Sequence, residues 1–313
     1  MAIKDPVLLI AYRRSDNLSK LIELLISFEV PKIYISLDNV DHADPRAHLD
    51  HLDCLLIIKR FVLKYPGKIK TNFHEANVGC ALGVISACDW FFESEKFGVI
   101  LEDDCFPSFD FFQLVNMTKE FLYHHSNIWL ICGTQLVIDK SNRGGFYISK
   151  YALTWGWATS NIKWREMSQS LRLTVRDFAK QNKMHPEISY WHFGATRAEQ
   201  GLVDVWDTIL LHRMQVLNKK AILPYQNLVT NIGFDNRATH TKGDYSIRIN
   251  FGRFEADQEI KEDFEMDKLL KKQIYSITLK HLLTNRLRRL IDLITARIKK
   301  SQANSLSSRL NRL

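Results

Sequence analysis

The sequence lacks the glycine-rich loops that bind phosphates in two large enzyme classes. No GxGxxG follows the first apolar run, and no GxxxxGK[ST] occurs in the 313 residues. These loops let the backbone approach a pyrophosphate or a triphosphate closely. Their absence disfavours both a dinucleotide-binding Rossmann site and a P-loop nucleotide site.

Cysteine is sparse and unpatterned, because the five cysteines at 54, 80, 88, 105 and 132 include no CxxC pair. Their odd number and spacing indicate reduced thiols in a cytosolic protein rather than a disulfide or zinc framework. No apolar run reaches the ~18 residues that span a bilayer, and the first residues show no signal-peptide pattern. We therefore expect a cytoplasmic protein.

The body of the chain lacks the basic excess of nucleic-acid-binding proteins. Residues 265–313 contain 12 Lys and Arg residues and 3 Asp and Glu residues. The other residues contain 31 Lys and Arg and 32 Asp and Glu. The whole formal charge of +8 therefore belongs to the C-terminal end. The near-neutral remainder disfavours nucleic acid as a partner.

Alternating strand and helix patterns fill the first half and predict a doubly wound, mainly parallel α/β sheet with helices on both faces. The predicted strands cover 6–11, 33–37, 69–73 and 97–102, and the predicted helices cover 17–28, 44–65 and 81–92. Ser15 or Asp16 is expected to cap the first helix, and Asp44 the second.

The second half is less regular. Predicted strands cover 128–132, 146–148 and 221–224, and a predicted helix covers 203–218. A tryptophan-rich segment at 155–164 and a polar segment at 227–241 are predicted to be loops.

The most informative stretch is Glu102-Asp103-Asp104, which follows the apolar run 97–100. Acids at the end of a buried strand are costly unless they are paired, hydrated or bound to a cation. Magnesium-type ions are usually held by one or two carboxylates together with substrate phosphates. The stretch predicts a divalent cation that carries a phosphate substrate. A solvated turn before a helix capped by Ser108 is the alternative.

Polar residues follow the other predicted strands as well. Arg13 and Arg14 follow the first strand, Asp38 the second and Asn77 the third. The carboxyl ends of parallel strands share one edge of a sheet, where such folds bind ligands. An arginine, the Asp38 carboxylate and a cation at Asp104 could together hold a nucleoside diphosphate.

In this order the motifs resemble a GT-A-fold glycosyltransferase of the broad family two group, which is itself Rossmann-like. They are also similar to the N-acetylglucosaminyltransferase I type, whose metal motif is likewise Glu-Asp-Asp. The likeness covers about residues 5–245. Five groups of residues carry the likeness. They are residues 11–14 together with 38; residues 77–80; residues 100–112; residues 154–159 together with 205–207; and residues 227–234 together with 239–241.

The resemblance implies that Asp104 ligates a divalent metal, Mn²⁺ or Mg²⁺. It also implies that Asp103 contacts the ribose or a metal-bound water, and that Asp38 meets the uracil of a UDP-sugar. Arg13 or Arg14 would lie near the nucleotide.

Three further residues are assigned to the same region. Asn77 and Glu102 are expected at the nucleotide-sugar site. His240 is a candidate ligand of the metal or the diphosphate, with a purely structural histidine as the alternative.

The resemblance matches Asp207 to the catalytic base, and Asp204 is a rival because it would lie on the same helical face. Such a base would take the proton of an acceptor hydroxyl, and direct displacement would invert the anomeric centre. The alternative is that both acids are N-terminal helix charges favoured by the macrodipole.

Four tryptophans are candidates for an acceptor wall, because indole offers a flat apolar face and one N–H donor. They are Trp155, Trp157, Trp164 and Trp206. We expect at least two of them to belong to the core.

The C-terminal end predicts an amphipathic helix with a basic face. Its apolar positions are 279, 282, 283, 287, 290, 291, 294 and 298. Residues 265–300 could lie on an anionic membrane surface, dock on the body, or pair with a second copy. We divide the chain into a GT-A body at 1–255, with a nucleotide-binding half to about 130 and an acceptor half beyond it, and a basic helical tail at 256–313.

These expectations describe a metal-dependent, inverting glycosyltransferase that acts on a saccharide or lipid-linked glycan, as in bacterial surface polysaccharide synthesis. It would be cytoplasmic or peripheral on the inner face of the membrane. One alternative is a sugar nucleotidyltransferase, although residues 11–14 lack the glycine expected there. Another is a non-enzymatic membrane- or nucleic-acid-binding protein that binds through the tail.

Overall fold

The computed structural model describes residues 2–41, 43–137, 143–175, 177, 186–202, 205–233 and 260–275. Within these residues the main feature is an eight-stranded sheet in the order β3-β2-β1-β4-β8-β6-β9-β7. Its strands are β1 (Val7–Ala11), β2 (Ile33–Leu37), β3 (Ile69–Phe73), β4 (Phe97–Glu102), β6 (Ile128–Cys132), β7 (Phe146–Ser149), β8 (Trp157–Ser160) and β9 (Lys220–Pro224). A separate two-stranded sheet contains β5 (Cys105–Pro107) and β10 (Val229–Asn231).

Most strands of the large sheet run in one direction. β1 is parallel to β2 and β4, β2 to β3, and β6 to β9. β8 runs antiparallel between β4 and β6, and β7 is antiparallel at the edge. Six of the eight strands therefore point the same way, which confirms the predicted Rossmann-like, mainly parallel α/β sheet.

Helices cover both faces of the sheet. One core contains residues of α1 (Ser15–Ser27), α2 (Pro45–Lys64) and α4 (Phe109–His124). The other contains residues of α3 (Cys80–Ser94), α5 (Asn161–Arg172), α6 (Pro186–Glu199), α7 (Asp207–Val216) and α8 (Phe264–Leu269). In the part of the chain that the structure describes, no helix has the length and hydrophobicity to span a bilayer.

The helix starts agree only in part with the predicted caps. Asp44 caps α2 as predicted, because its side chain accepts hydrogen bonds from two backbone N–H groups of the first turn. The predicted cap of α1 is wrong, because Arg14 occupies the N-cap position and Ser15 and Asp16 lie inside the first turn. Ser108 stands at the N-cap of α4, but its side chain makes no capping hydrogen bond.

The predicted loop at 155–164 is wrong, because this segment contains β8 and the start of α5. All four residues of β8 are buried. Its sequence, Trp-Ala-Thr-Ser, is neither a continuous apolar run nor an alternating pattern, which explains why it does not indicate a strand. The polar segment at 227–241 likewise contains β10, and its residues 234–241 lie outside the described part.

Residues 260–275, here called the C-terminal strap, lie against the body. Glu262 forms a parallel bridge with Ile148 of β7. The Asp267 carboxylate accepts a hydrogen bond from the Ser149 hydroxyl. The strap therefore extends the edge of the sheet at β7.

The apolar side chains of the strap complete the second core. Met266 and Leu270 are fully buried there, and the Tyr275 hydroxyl donates to the Ala152 carbonyl at 2.9 Å. The division of the chain at 255 stays a prediction. The predicted amphipathic helix at 279–298 lies outside the described residues.

We predict that Leu270→Ala lowers the free energy of unfolding by about 2–5 kcal/mol, because it leaves a cavity in a packed core. Lys272→Ala is the matched control in the same segment, since Lys272 is exposed and its truncation should change stability by less than about 0.5 kcal/mol. Urea unfolding of both variants measures the difference. Equal stability of the two variants would show that the strap is not part of the folded body.

Candidate active site

The loops after β1 and β4 bring two carboxylates onto one arginine. Ile10 lies opposite Glu102 in the parallel pair, so both loops leave the sheet side by side. Arg14 Nη1 donates to Asp103 Oδ1 at 3.0 Å and to Asp104 Oδ2. We call Arg14, Asp103 and Asp104 the ion-pair triad. The carboxylates are buried, so a positive partner offsets part of the cost of removing their charges from water.

The small sheet closes over Asp104 from another side. Asn231 lies opposite Cys105 in the antiparallel pair, and the Asn231 amide and the Cys105 thiol both donate to Asp104 Oδ1, at 3.4 and 3.3 Å. A Cβ atom added to Gly233 would lie 2.0 Å from Asp104 Oδ2. Position 233 therefore accommodates no side chain while Asp104 keeps this position.

Asp38 lies at the same edge, but its carboxylate binds the backbone at the start of α3. It accepts hydrogen bonds from the N–H groups of Val78 and Gly79 at 3.1 and 3.2 Å. These donors precede the first turn of the helix, where negative charge is favourable. The Asn77 amide donates to the Tyr12 hydroxyl at 3.1 Å, which joins the third loop to the first.

The two arginines of the first loop have different surroundings. Arg14 belongs to the triad, whereas the Arg13 guanidinium lies 5.6 Å from the centroid of the Tyr12 ring. The Tyr12 backbone N–H donates to Asp103 Oδ2 at 3.0 Å. Of the two, Arg14 is therefore the one that contacts the predicted metal-binding carboxylates.

The crowding of acids changes their ionisation. Burial, followed by the charge of Asp104, raises the pKa of Asp103 to about 6 against the lowering effect of Arg14. Burial and the charges of Asp104, Asp103 and Asp207 raise the pKa of Glu102 to about 8. Burial lowers the pKa of Arg14, but the two carboxylates raise it by more. Burial and the neighbouring acids therefore favour the protonated form of Glu102.

Asp207 is the exposed first residue of α7. Its Oδ1 accepts a hydrogen bond from the Thr208 N–H at 2.6 Å, as expected for an acid at a helix start. Its charge also contributes to the raised pKa of Glu102, so the two carboxyl groups are electrostatic neighbours. Asp204 and His240 lie outside the described residues, and their roles stay predictions.

Three of the four candidate tryptophans are core residues. Trp157, Trp164 and Trp206 are at most 4% exposed, and the ring centroids of Trp157 and Trp206 lie 5.5 Å apart. Their burial leaves little indole surface for an acceptor. Trp155 is only partly buried, and its carbonyl accepts a hydrogen bond from Thr134, so it is the most accessible candidate of the four.

The carboxylate oxygens of the triad suit a hard divalent cation as ligands. Asp103 and Asp104 supply carboxylate oxygens, which Mg²⁺ and Mn²⁺ prefer. No group of three or more His, Cys, Asp or Glu among the described residues is arranged to hold a metal. Asp104 as a metal ligand stays a prediction.

Some residues of the site were not assigned roles from the sequence. The Asn231 amide and the Cys105 thiol donate to Asp104, and Gly233 leaves room for its carboxylate. The block at 227–234 was noted for its resemblance, but nothing in its composition indicates that it pairs with β5.

We predict that Glu102 lowers the free energy of unfolding progressively as the pH rises from about 4.5 to about 8, because over this range the unfolded chain releases the Glu102 proton before the folded chain does. Its pKa is raised on folding from an ordinary 4.5, so its contribution is complete below the unfolded pKa and is lost as pH rises through the folded value. Glu102→Gln should flatten this part of the profile in urea unfolding. Glu120→Gln is the control, since Glu120 is 78% exposed. A profile unchanged by Glu102→Gln would contradict the raised pKa.

Comparison with known proteins gives only distant matches. No family model matches the chain, and no curated protein matches it. HddC from Yersinia pseudotuberculosis bound to GMP-PN is 14% identical with a TM-score of 0.32, over 51% of this chain and 78% of that one. A putative glucose-1-phosphate thymidylyltransferase from Bacillus anthracis is 12% identical with a TM-score of 0.34, over 67% and 83%. An apo UDP-glucose pyrophosphorylase is 8% identical with a TM-score of 0.35, over 73% and 92%.

Two of these three structures are named as sugar nucleotidyltransferases, and none is named as a family two glycosyltransferase. All three structures are less than 25% identical to this chain. TM-scores of this size are too low to infer an activity.

Proposed function

We propose that this chain transfers a sugar from a nucleotide-sugar donor, with a UDP-sugar as the expected donor, to a saccharide or lipid-linked glycan acceptor. The observation that carries the proposal is the ion-pair triad at the carboxyl ends of β1 and β4. An arginine and two carboxylates at one edge offer partners for a diphosphate and for its cation.

In this proposal Asp104 would hold a Mg²⁺ or Mn²⁺ ion, with Asp103 as the neighbouring carboxylate. The ion would neutralise charge on the diphosphate. Arg14 balances the same carboxylates in the unliganded protein. Donor binding is therefore expected to change the surroundings of Arg14.

Asp207 is the proposed general base. The acceptor oxygen attacks the anomeric carbon, the bond from that carbon to the diphosphate breaks, and Asp207 takes the acceptor proton. Its exposure and its electrostatic proximity to Glu102 support this role. Glu102, whose pKa is raised by burial and by neighbouring acids, would donate a hydrogen bond to the sugar in its protonated form.

Sugar nucleotidyl transfer is the second candidate, because it is the activity named for two of the solved structures. The sequence of the first loop, Ala-Tyr-Arg-Arg at 11–14, lacks the glycine expected for that class. Both reactions use a nucleotide, a sugar and a divalent cation, so the triad is compatible with either.

We predict that Asp207→Asn keeps donor binding but lowers sugar transfer by about 10²–10⁴-fold, the usual contribution of a general base. Asp104→Asn should instead abolish the metal-dependent thermal shift produced by UDP-sugars. Differential scanning fluorimetry and a transfer assay separate the two effects.

Glu265→Gln is the control for Asp207→Asn, because Glu265 is an acid in the first turn of α8 without a proposed role in catalysis. It should leave transfer unchanged. If Asp207→Asn retains most transfer and Asp204→Asn does not, Asp204 is the base.

We predict that the purified protein releases a nucleoside diphosphate from a nucleotide-sugar when an acceptor is present. Incubation of a nucleoside triphosphate with a sugar 1-phosphate should release no pyrophosphate. Panels of both substrate sets, each with Mn²⁺ and Mg²⁺, should be followed by mass spectrometry. Pyrophosphate release would instead establish nucleotidyl transfer as the activity.

A further inference from the structure

Both oxygens of the Asp104 carboxylate already have neighbours within the protein. Oδ1 accepts hydrogen bonds from the Cys105 thiol and the Asn231 amide. Oδ2 accepts one from Arg14 Nη1, and an added Cβ at Gly233 would lie 2.0 Å from the same oxygen. Cys105 and Asn231 belong to the paired strands β5 and β10, whereas Arg14 reaches the carboxylate from the loop after β1. Among these neighbours, Arg14 is the one that carries a charge and belongs to a different sheet.

The Arg14 guanidinium donates to several acceptors at once. Nη1 contacts Asp103 and Asp104, and Nη2 donates to the Gly233 carbonyl at 3.4 Å. Only 14% of the Arg14 side chain is exposed. A divalent cation on the Asp104 carboxylate would therefore lie close to the guanidinium. Two positive charges at one buried carboxylate repel each other, since water and salt screen them little there.

We propose that Arg14 is an internal counter-ion that competes with a divalent cation for Asp104 and leaves this carboxylate for the diphosphate of the nucleotide. The inference rests on the proposed function, because it needs a diphosphate at the same edge of the sheet. A planar guanidinium pairs with phosphate oxygens in the same forked way as with carboxylates. With a diphosphate bound, Arg14 has a second anionic partner and Asp104 becomes free for the cation. Binding of the cation and of the nucleotide is therefore positively coupled, and the coupling is reciprocal.

The competition predicts opposite effects on two ligands when the guanidinium is removed. Arg14→Gln should strengthen the binding of a cation without nucleotide, because Asp104 loses its competing partner. The same change should weaken the binding of UDP, because the diphosphate loses a donor. A purely structural role of Arg14 would instead weaken both, since the loops after β1 and β4 would lose their common contact.

The first test measures Mn²⁺ binding to the full chain without nucleotide, from the electron paramagnetic resonance signal of free Mn²⁺. Arg14→Gln should lower the dissociation constant about tenfold or more, because a positive charge in contact with the ligand oxygen is removed. Arg13→Gln is the matched control. It removes the same charge one residue away, from a guanidinium that lies 5.6 Å from the centroid of the Tyr12 ring. Its effect on the Mn²⁺ dissociation constant should be less than about threefold, because charges out of contact are screened.

The second test measures thermal unfolding with Mn²⁺ alone, with UDP alone and with both. In the wild type, the shift with both ligands should exceed the sum of the separate shifts, as positive coupling requires. In Arg14→Gln, Mn²⁺ alone should give a larger shift than in the wild type, and UDP should add less to it. If Arg14→Gln does not fold without a cation, Mn²⁺ should restore its unfolding transition.

Equal Mn²⁺ affinity of the wild type and Arg14→Gln would overturn the proposal and leave the proposed transfer reaction in place. An equal gain in Arg13→Gln would do the same, because the effect would then be one of overall charge. An Arg14→Gln chain that stays unfolded in Mn²⁺ would also contradict the role as a competitor. Absence of Mn²⁺ binding in every variant, with and without UDP, would instead contradict the metal site, and with it both the competition and the proposed function.

Discussion

The contact between Arg14 and the carboxylates of Asp103 and Asp104 is the interaction on which the site depends. Two adjacent buried acids repel each other, and removing the partner of a buried charge typically costs about 3–5 kcal/mol. Arg14 comes from the loop after β1 and the acids from the loop after β4. Their attraction therefore fixes the relative position of two loops that leave neighbouring strands. Asn231 and Gly233 lie against the Asp104 carboxylate, which Arg14 holds in place.

Successive side chains of β4 face opposite sides of the sheet, so the neighbouring acids at its end have different surroundings. Ile100 faces the second core and Leu101 the first, so Glu102 continues toward the face that carries α7. Its carboxyl group is affected by Asp207, whereas the next residue, Asp103, contacts Arg14. Two adjacent residues therefore have different surroundings. Glu102 is an acid whose neutral form is favoured, near the proposed base, whereas Asp103 belongs to an ionic cluster suited to phosphate and metal.

Much of this arrangement could be predicted from the sequence. The apolar run before Glu102 and the polar residues after each strand indicate one sheet edge, because parallel strands must end together. β8 could not be predicted, since Trp-Ala-Thr-Ser is neither a continuous apolar run nor an alternating pattern. The contacts of Met266 and Leu270 with the second core could not be predicted either, because they join residues that are far apart in the sequence. The contact of Asn231 with Asp104 spans 127 residues, which local patterns do not report.

The position of β8 has a consequence for the order in which the protein can fold during synthesis. β4 is complete at residue 102, but the strand that covers its outer edge begins only at Trp157. Until that segment leaves the ribosome, the edge of β4 presents unpaired N–H and C=O groups, a template for pairing with other chains. The first four strands are therefore most prone to misassociation while about 55 further residues are being added, roughly 3–11 s at typical elongation rates.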